Sequence, residues 1–182
     1  MARRGQNSFP IVGVMGSGQS ADSARCAELG AWLATQRVHL LTGGGGGVMA
    51  AVSRGFFEVS PREGLVIGVL RGSGDGGAQP MPGYPNEWVE LPIRTHLPLS
   101  GTQGTDPMSR NHINMLTADV VIAMAGSSGT QSEVRLAVQY RKPVVAYLQD
   151  RADIPQLPEE VPVAGRLEDV QAFVIDALRG AP

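Results

Sequence analysis

The chain has 182 residues, 42% hydrophobic and 18% charged, which is the profile of one globular domain able to bury a core. Fifteen basic against seventeen acidic side chains leave a formal charge of −2, too little positive charge to expect duplex DNA or RNA as a partner. The single Cys26 excludes an intrachain disulfide framework and agrees with a cytoplasmic setting, while no signal-peptide core and no apolar run of membrane-spanning length is present.

In chain order, Ile11 to Met15 predicts a buried strand, followed by Gly16-Ser17-Gly18 and a helix from about Ser20 to Arg37. Cys26 falls in that helix and reads as a small buried hydrophobe. Val38 to Thr42 predicts strand two, Gly43 to Gly47 is a run of five glycines, and helix two follows at Val48 to Glu58. Leu65 to Leu70 predicts strand three, and the Gly/Pro-rich stretch from Arg71 to Pro85 is expected to be a mobile loop. Trp88 to Ile93 reads as a short strand. Asp106-Pro107 marks a helix start that runs to Thr117, an N-cap followed by proline at the first helical position. Strand five is Val120 to Met124, helix four spans Thr130 to Arg141, Pro143 to Leu148 is the last strand, and a C-terminal helix covers Leu167 to Leu178.

Apolar strands without alternation, separated by helices, indicate a mostly parallel sheet covered on both faces. The expectation is a three-layer, doubly wound α/β fold in a single domain. Ligands in such folds bind at the carboxyl ends of the strands, where strand order reverses. The glycine loops lie at those ends. A strand that ends in glycine and turns into a helix aims free backbone N–H groups and the positive end of the helix dipole at one point, which suits a phosphate.

Known dinucleotide and ATP patterns do not fit. Gly13-Val14-Met15-Gly16-Ser17-Gly18 lacks the G-x-G-x-x-G spacing, and strand two ends in Thr42-Gly43 without a carboxylate for a ribose. The five-glycine run is followed by Val48-Met49-Ala50, so the lysine of an ATP-type phosphate loop is missing. The expected ligand contacts are Gly16, Ser17 and Gly18; Gly43, Gly44, Gly45 and Gly46; and Gly126, Ser127, Ser128, Gly129 and Thr130. His39, His96 and His112 are dispersed without ligand spacing, so no metal site is expected. His39 reads as a core histidine, and His112 is a candidate to line the site.

The block Met108-Ser109-Arg110-Asn111, with Gly126-Ser127-Ser128-Gly129-Thr130-Gln131-Ser132-Glu133 after the next strand, resembles the LOG-like family of Rossmann-type nucleotide-binding proteins. That family, often labelled "possible lysine decarboxylase", includes nucleoside 5′-monophosphate phosphoribohydrolases and molybdenum cofactor carrier proteins. Its pattern is an Arg-Lys pair followed by P-G-G-x-G-T-x-x-E. Arg110, Gly126, Gly129, Thr130 and Glu133 match, whereas Asn111, Ala125 and Ser127 depart from it. The resemblance implies that the loop holds a phosphate, together with Arg110 and Asn111, and that Arg110 and Glu133 serve cleavage of an N-glycosidic bond. Such a bond breaks through an oxocarbenium-like state that a carboxylate stabilises. The departures point instead to a non-catalytic carrier of a phosphorylated cofactor. No cofactor is required in either case, and nothing in the residues supports lysine decarboxylation.

Thr130-Gln131-Ser132-Glu133 also has the form of a capping box, which would make Glu133 a helix cap. The resemblance further implies a homodimer. Met108, Ile113, Met115 and Leu116 on one helix, with Val134, Leu136, Ala137, Val138 and Tyr140 on the next, present more apolar surface than one sheet face covers. The alternative is that this surplus packs within the monomer.

Overall fold

A computed structural model of the chain describes residues 9–75 and 79–180. Residues 1–8, where the missing signal core was read, and residues 76–78 of the Gly/Pro-rich loop lie outside the described residues. Seven strands form one sheet in the order β4-β3-β2-β1-β5-β6-β7. They are β1 (Ile11–Met15), β2 (His39–Thr42), β3 (Val66–Leu70), β4 (Leu91–Arg94), β5 (Val120–Ala123), β6 (Val144–Tyr147) and β7 (Val163–Ala164). Every neighbouring pair is parallel.

Strands β2, β3 and β5 are buried along their whole length, except that His39 at the start of β2 is half-buried. Residues buried on both faces explain why these runs are continuously apolar. One face carries α1 (Ser23–Ala34), α2 (Val48–Phe57) and α5 (Leu167–Gly180), with Leu29, Leu33, Phe56 and Val174 in a common core. The other carries α3 (Asn111–Thr117) and α4 (Ser128–Gln139), with Met115, Val134 and Leu136 in a second core. This is the doubly wound α/β arrangement expected of the sequence, in a single domain. The chain leaves β1 in one direction through β2, β3 and β4, then returns to β5 on the other side. The switch point therefore lies between β1 and β5.

Several boundaries differ from the sequence reading. Helix α1 stops at Ala34 because Arg37 adopts a left-handed φ of 55°. Helix α4 stops at Gln139, before Arg141 with φ 54°. Left-handed residues end helices, and where glycine does not fill the position the stop is hard to read. Helix α3 begins at Asn111, four residues after the predicted start at Pro107. The Asp106 carboxylate accepts from Met108 N at 2.8 Å and forms a turn, and Ser109 bridges to Leu99. Helix α4 begins at Ser128, two residues early. Strand β4 begins three residues later than expected, and its Pro92 suits a sheet edge, where a missing N–H costs nothing. Strand β7 lies beyond the last expected strand and is only two residues long, too short for periodicity to register.

The described part of the Gly/Pro-rich loop is tied down. Gly72 and Pro80 form an antiparallel bridge, Tyr84 N donates to Met81 O at 3.0 Å, and just past the loop Asn86 donates to the carbonyls of Gly44 and Gly45, each at 2.8 Å. Among the described residues no helix is long and apolar enough to cross a membrane.

Candidate functional site

Strands β2, β1 and β5 are adjacent, so the glycine loops that follow them stand side by side at the carboxyl end of the sheet. A cavity of about 360 Å³ opens there. Gly16, Ser17 and Gly18 line it from β1, and Ser127, Ser128, Gly129, Thr130 and Glu133 line it from α4. Arg110 and Asn111 enter from the start of α3. No side chain caps the N-terminus of α4, so its first-turn N–H groups and the helix dipole face the cavity.

The loop after β5 is shaped by contact. A Cβ on Gly126 would stand 2.1 Å from Thr130 Oγ1 and 3.0 Å from Ser17 N. Gly126 N donates to Asp153 O at 3.1 Å, and Ser17 N donates to Ala125 O at 2.9 Å, fastening this loop to its neighbours. The Ser17 hydroxyl accepts from Gln19 N and Ser20 N at 3.2 and 3.1 Å, which tightens the turn toward α1.

The five-glycine run sits behind the cavity rather than on its wall. Gly43, Gly44 and Gly45 are buried, and Gly46 alone of the four candidates is exposed. Each gap left by a missing side chain is filled by another segment. A Cβ on Gly43 would lie 2.2 Å from Arg110 Nη1, and one on Gly45 would lie 2.7 Å from the Tyr84 ring. Gly47 takes φ 56° directly beneath Ser17 O, which accepts from Val48 N at 2.8 Å. The amide at the start of α2 is thus already used, unlike that at α4.

Arg110 and Glu133 form the electrostatic centre. Arg110 is 5% exposed and Glu133 7% exposed. Arg110 Nη1 donates to Val69 O at 2.7 Å, while its Nε is buried without a partner. Burial pushes the Glu133 carboxyl up to about 7; the Arg110 guanidinium pulls it down, as does the Asn114 amide beside it. Neither polar atom of that amide reaches a well-formed hydrogen bond. Burial lowers the pKa of Arg110, and the Glu133 charge opposes this. Because α4 begins at Ser128, Thr130 and Glu133 lie inside the helix, and the capping-box alternative does not form.

Tyr84, Ser100, Gly101, Gln19 and Met49 also line the cavity and were not singled out from the sequence. Tyr84 lies in an irregular segment and Gly101 opens a three-residue 3-10 helix, both too short on pattern to stand out; Ser132 Oγ donates to Gly101 O at 2.9 Å and Arg71 Nη1 to Ser100 Oγ, which hold the latter segment at the cavity. His112 does not line the cavity. Its Nδ1 lies 2.6 Å from the Tyr140 hydroxyl and its Nε2 faces the carbonyls of Thr105 and Asp106. His39 is half-buried, with Nδ1 accepting from Leu65 N at 3.0 Å, as expected for a satisfied histidine.

Residues 9–172 match the model of the SLOG cluster4 family. No curated protein matches the chain. Among solved structures the chain is similar to the molybdenum cofactor binding protein of the phototrophic bacterium Rippkaea orientalis. The two are 31% identical with a TM-score of 0.73, over 95% of this chain and 99% of that one. It is likewise similar to the Moco carrier protein of Chlamydomonas reinhardtii, 31% identical with a TM-score of 0.71, over 95% and 99% of the two chains. DNA processing protein A of Helicobacter pylori shares only the fold, at 16% identity and a TM-score of 0.68, over 93% and 82%.

Proposed function

The chain belongs to the SLOG cluster4 family, and from that premise we propose that it binds a small phosphorylated cofactor of the molybdenum cofactor type and releases it unchanged. The observation that carries this reading is 31% identity, across nearly the whole of both chains, to a molybdenum cofactor binding protein and a Moco carrier protein. The cavity chemistry supports it. The uncapped N-terminus of α4 and the Gly16–Ser17–Gly18 turn offer backbone donors to a phosphate, and Arg110 adds a fixed positive charge. Gly43 and Gly45 act indirectly, by admitting Arg110 and Tyr84 to the wall. Where the resemblance has a lysine this chain has Asn111, so the ligand is held by backbone groups and one guanidinium.

A second reading, hydrolysis of a nucleoside 5′-monophosphate, is favoured by one observation: Glu133 and Arg110 are buried together on the wall of the same cavity. A carboxyl held near 7 is only partly ionised at neutral pH, which weakens it as the charged group an oxocarbenium state needs.

The test is to incubate the protein with molybdenum cofactor released from a molybdoenzyme, remove free ligand by gel filtration and measure retained molybdenum. Retention that Ser128→Glu reduces about tenfold or more, through like-charge repulsion at the phosphate, is the expected result. No retained molybdenum would overturn the carrier reading, and free base released from AMP and lost in Glu133→Gln would replace it with the hydrolase.

A further inference from the structure

A second cavity, of about 390 Å³, lies beside the first at the carboxyl ends of β5 and β6. The two are separated by the ridge where Ser17 N bonds Ala125 O. Ser17, Gly18, Gln19 and Ser127 face the first cavity; Ser20, Ala21 and Ala125 face the second.

The second cavity has a different chemistry. Val48, Met124, Tyr147 and Leu148 are buried and form an apolar floor. Asp22, Gln149 and Asp153 are exposed at its rim. Arg25 also lines it: the guanidinium carbon is 3.8 Å from the Tyr147 ring centroid, Nη2 donates to Gly165 O at 2.8 Å, and the buried Nε has no partner. Asp22 accepts from Arg25 N through Oδ1, and Asp153 accepts from Asp150 N through Oδ2. Each carboxylate keeps a second oxygen to accept another donor.

Two carboxylates against one guanidinium disfavour a phosphate here, whereas an N–H edge is attracted to them. A flat apolar floor with a few convergent polar groups suits a ring system. We propose that this cavity holds the ring end of the ligand whose phosphate occupies the first cavity: a planar nitrogen heterocycle with an N–H donor edge, as in a pterin. The ring lies on the Met124–Tyr147 floor, its N–H edge donates to Asp22 and Asp153, and a ring acceptor meets the Nε–H of Arg25. This assignment rests on the phosphate reading of the first cavity, and the two are tested by different arms.

The probes are 6-hydroxymethylpterin, its phosphate ester and inorganic phosphate, with binding followed by pterin fluorescence and calorimetry on the full chain. Ala21→Trp fills the second cavity from a partly exposed position, and Asp153→Asn removes one acceptor charge. Both are expected to weaken the free pterin by about tenfold or more and to leave inorganic phosphate binding unchanged. Ser128→Glu is expected to weaken the ester and spare the free pterin. Free pterin binding that is absent, that is indifferent to Ala21→Trp and Asp153→Asn, or that is displaced by inorganic phosphate would overturn the proposal. Phosphate and ester binding lost together, with variant-sensitive pterin binding intact, would instead overturn the phosphate reading of the first cavity. Thermal melts of each variant exclude loss of fold as the cause.

Discussion

At the scale of single residues, the molecule keeps a carboxyl in a place where burial opposes its charge. Glu133 is held at about 7 in the folded chain, against about 4.5 for an exposed glutamate. A raised acid pKa means that folding favours the protonated form, so the contribution is fully present below pH 4.5 and is lost as pH rises toward 7. The whole effect is about 3 kcal/mol at most. Glu133→Gln removes the titration, so wild type and variant are expected to melt together near pH 4.5 and to diverge toward pH 8, with the variant the more stable. Parallel melting curves across that range would show that Glu133 titrates normally. Cys26 shifts in the same direction for the same reason. Burial, and then the Asp22 charge, push its thiol up to about 11, so it behaves as the core residue its sequence position suggested.

At the scale of elements, close contact between α1 and α2 sets the geometry of the loops above them. A Cβ on Gly30 would stand 2.2 Å from Val52 O and 2.8 Å from Phe56 N, and one on Gly55 would stand 2.4 Å from Ala27 O. The two helices therefore touch backbone to backbone, which brings Gly47 under Ser17 and Val48 against Gly16. Gly30→Ala is expected to destabilise the fold by about 1–3 kcal/mol through overpacking, a loss of roughly 2–4 °C in Tm for each kcal/mol at this chain length. Chemical denaturation measures it, and an unchanged midpoint would mean the helices separate without cost. Helix α3 shows where a local start signal misleads. The Asp106-Pro107 capping signal predicted a longer α3, but Asp106 closes a turn instead, which delays the helix and leaves Arg110 at its N-terminus, donating to Val69 O.

At the scale of the whole molecule, the apolar surplus read from two helices divides. Met115, Val134, Leu136 and Ala137 are buried in the chain's own core. Leu116 is 56% exposed and Met108 43% exposed. On the same side of the sheet, Leu91 and Ile93 of edge strand β4 pair in register with Ile67 and Val69, and Leu91 is 46% exposed. An apolar sheet edge and exposed apolar helix residues are each surface that self-association about a two-fold axis would bury. Light scattering at micromolar concentration is expected to report a dimer of the 19.1 kDa chain, and Leu91→Glu to return it to monomer. A monomer mass for the unmodified chain would remove this interface.

Local patterning was sufficient for the architecture. Unbroken apolar runs such as Val120–Ala123 specify strands buried on both faces, and helices between them require parallel pairing, because a crossover is the only way back to the same edge. The glycine turns between strand and helix were equally legible, since glycine there is a local signal. What local pattern does not encode is which glycines face the cavity. Gly43 to Gly45 look like a cradle in one dimension, yet tertiary contact fills them with Arg110, Tyr84 and the Asn86 segment. Tyr84 and Gly101 have no periodicity to announce them and join the wall only because distant segments converge. The pKa of Glu133 was likewise beyond reach of the sequence, because a carboxyl's ionisation is set by the water excluded around it and by charges brought close in space. Residue identity determined the elements and their order; proximity between residues far apart in the chain decided the shape and charge of the site.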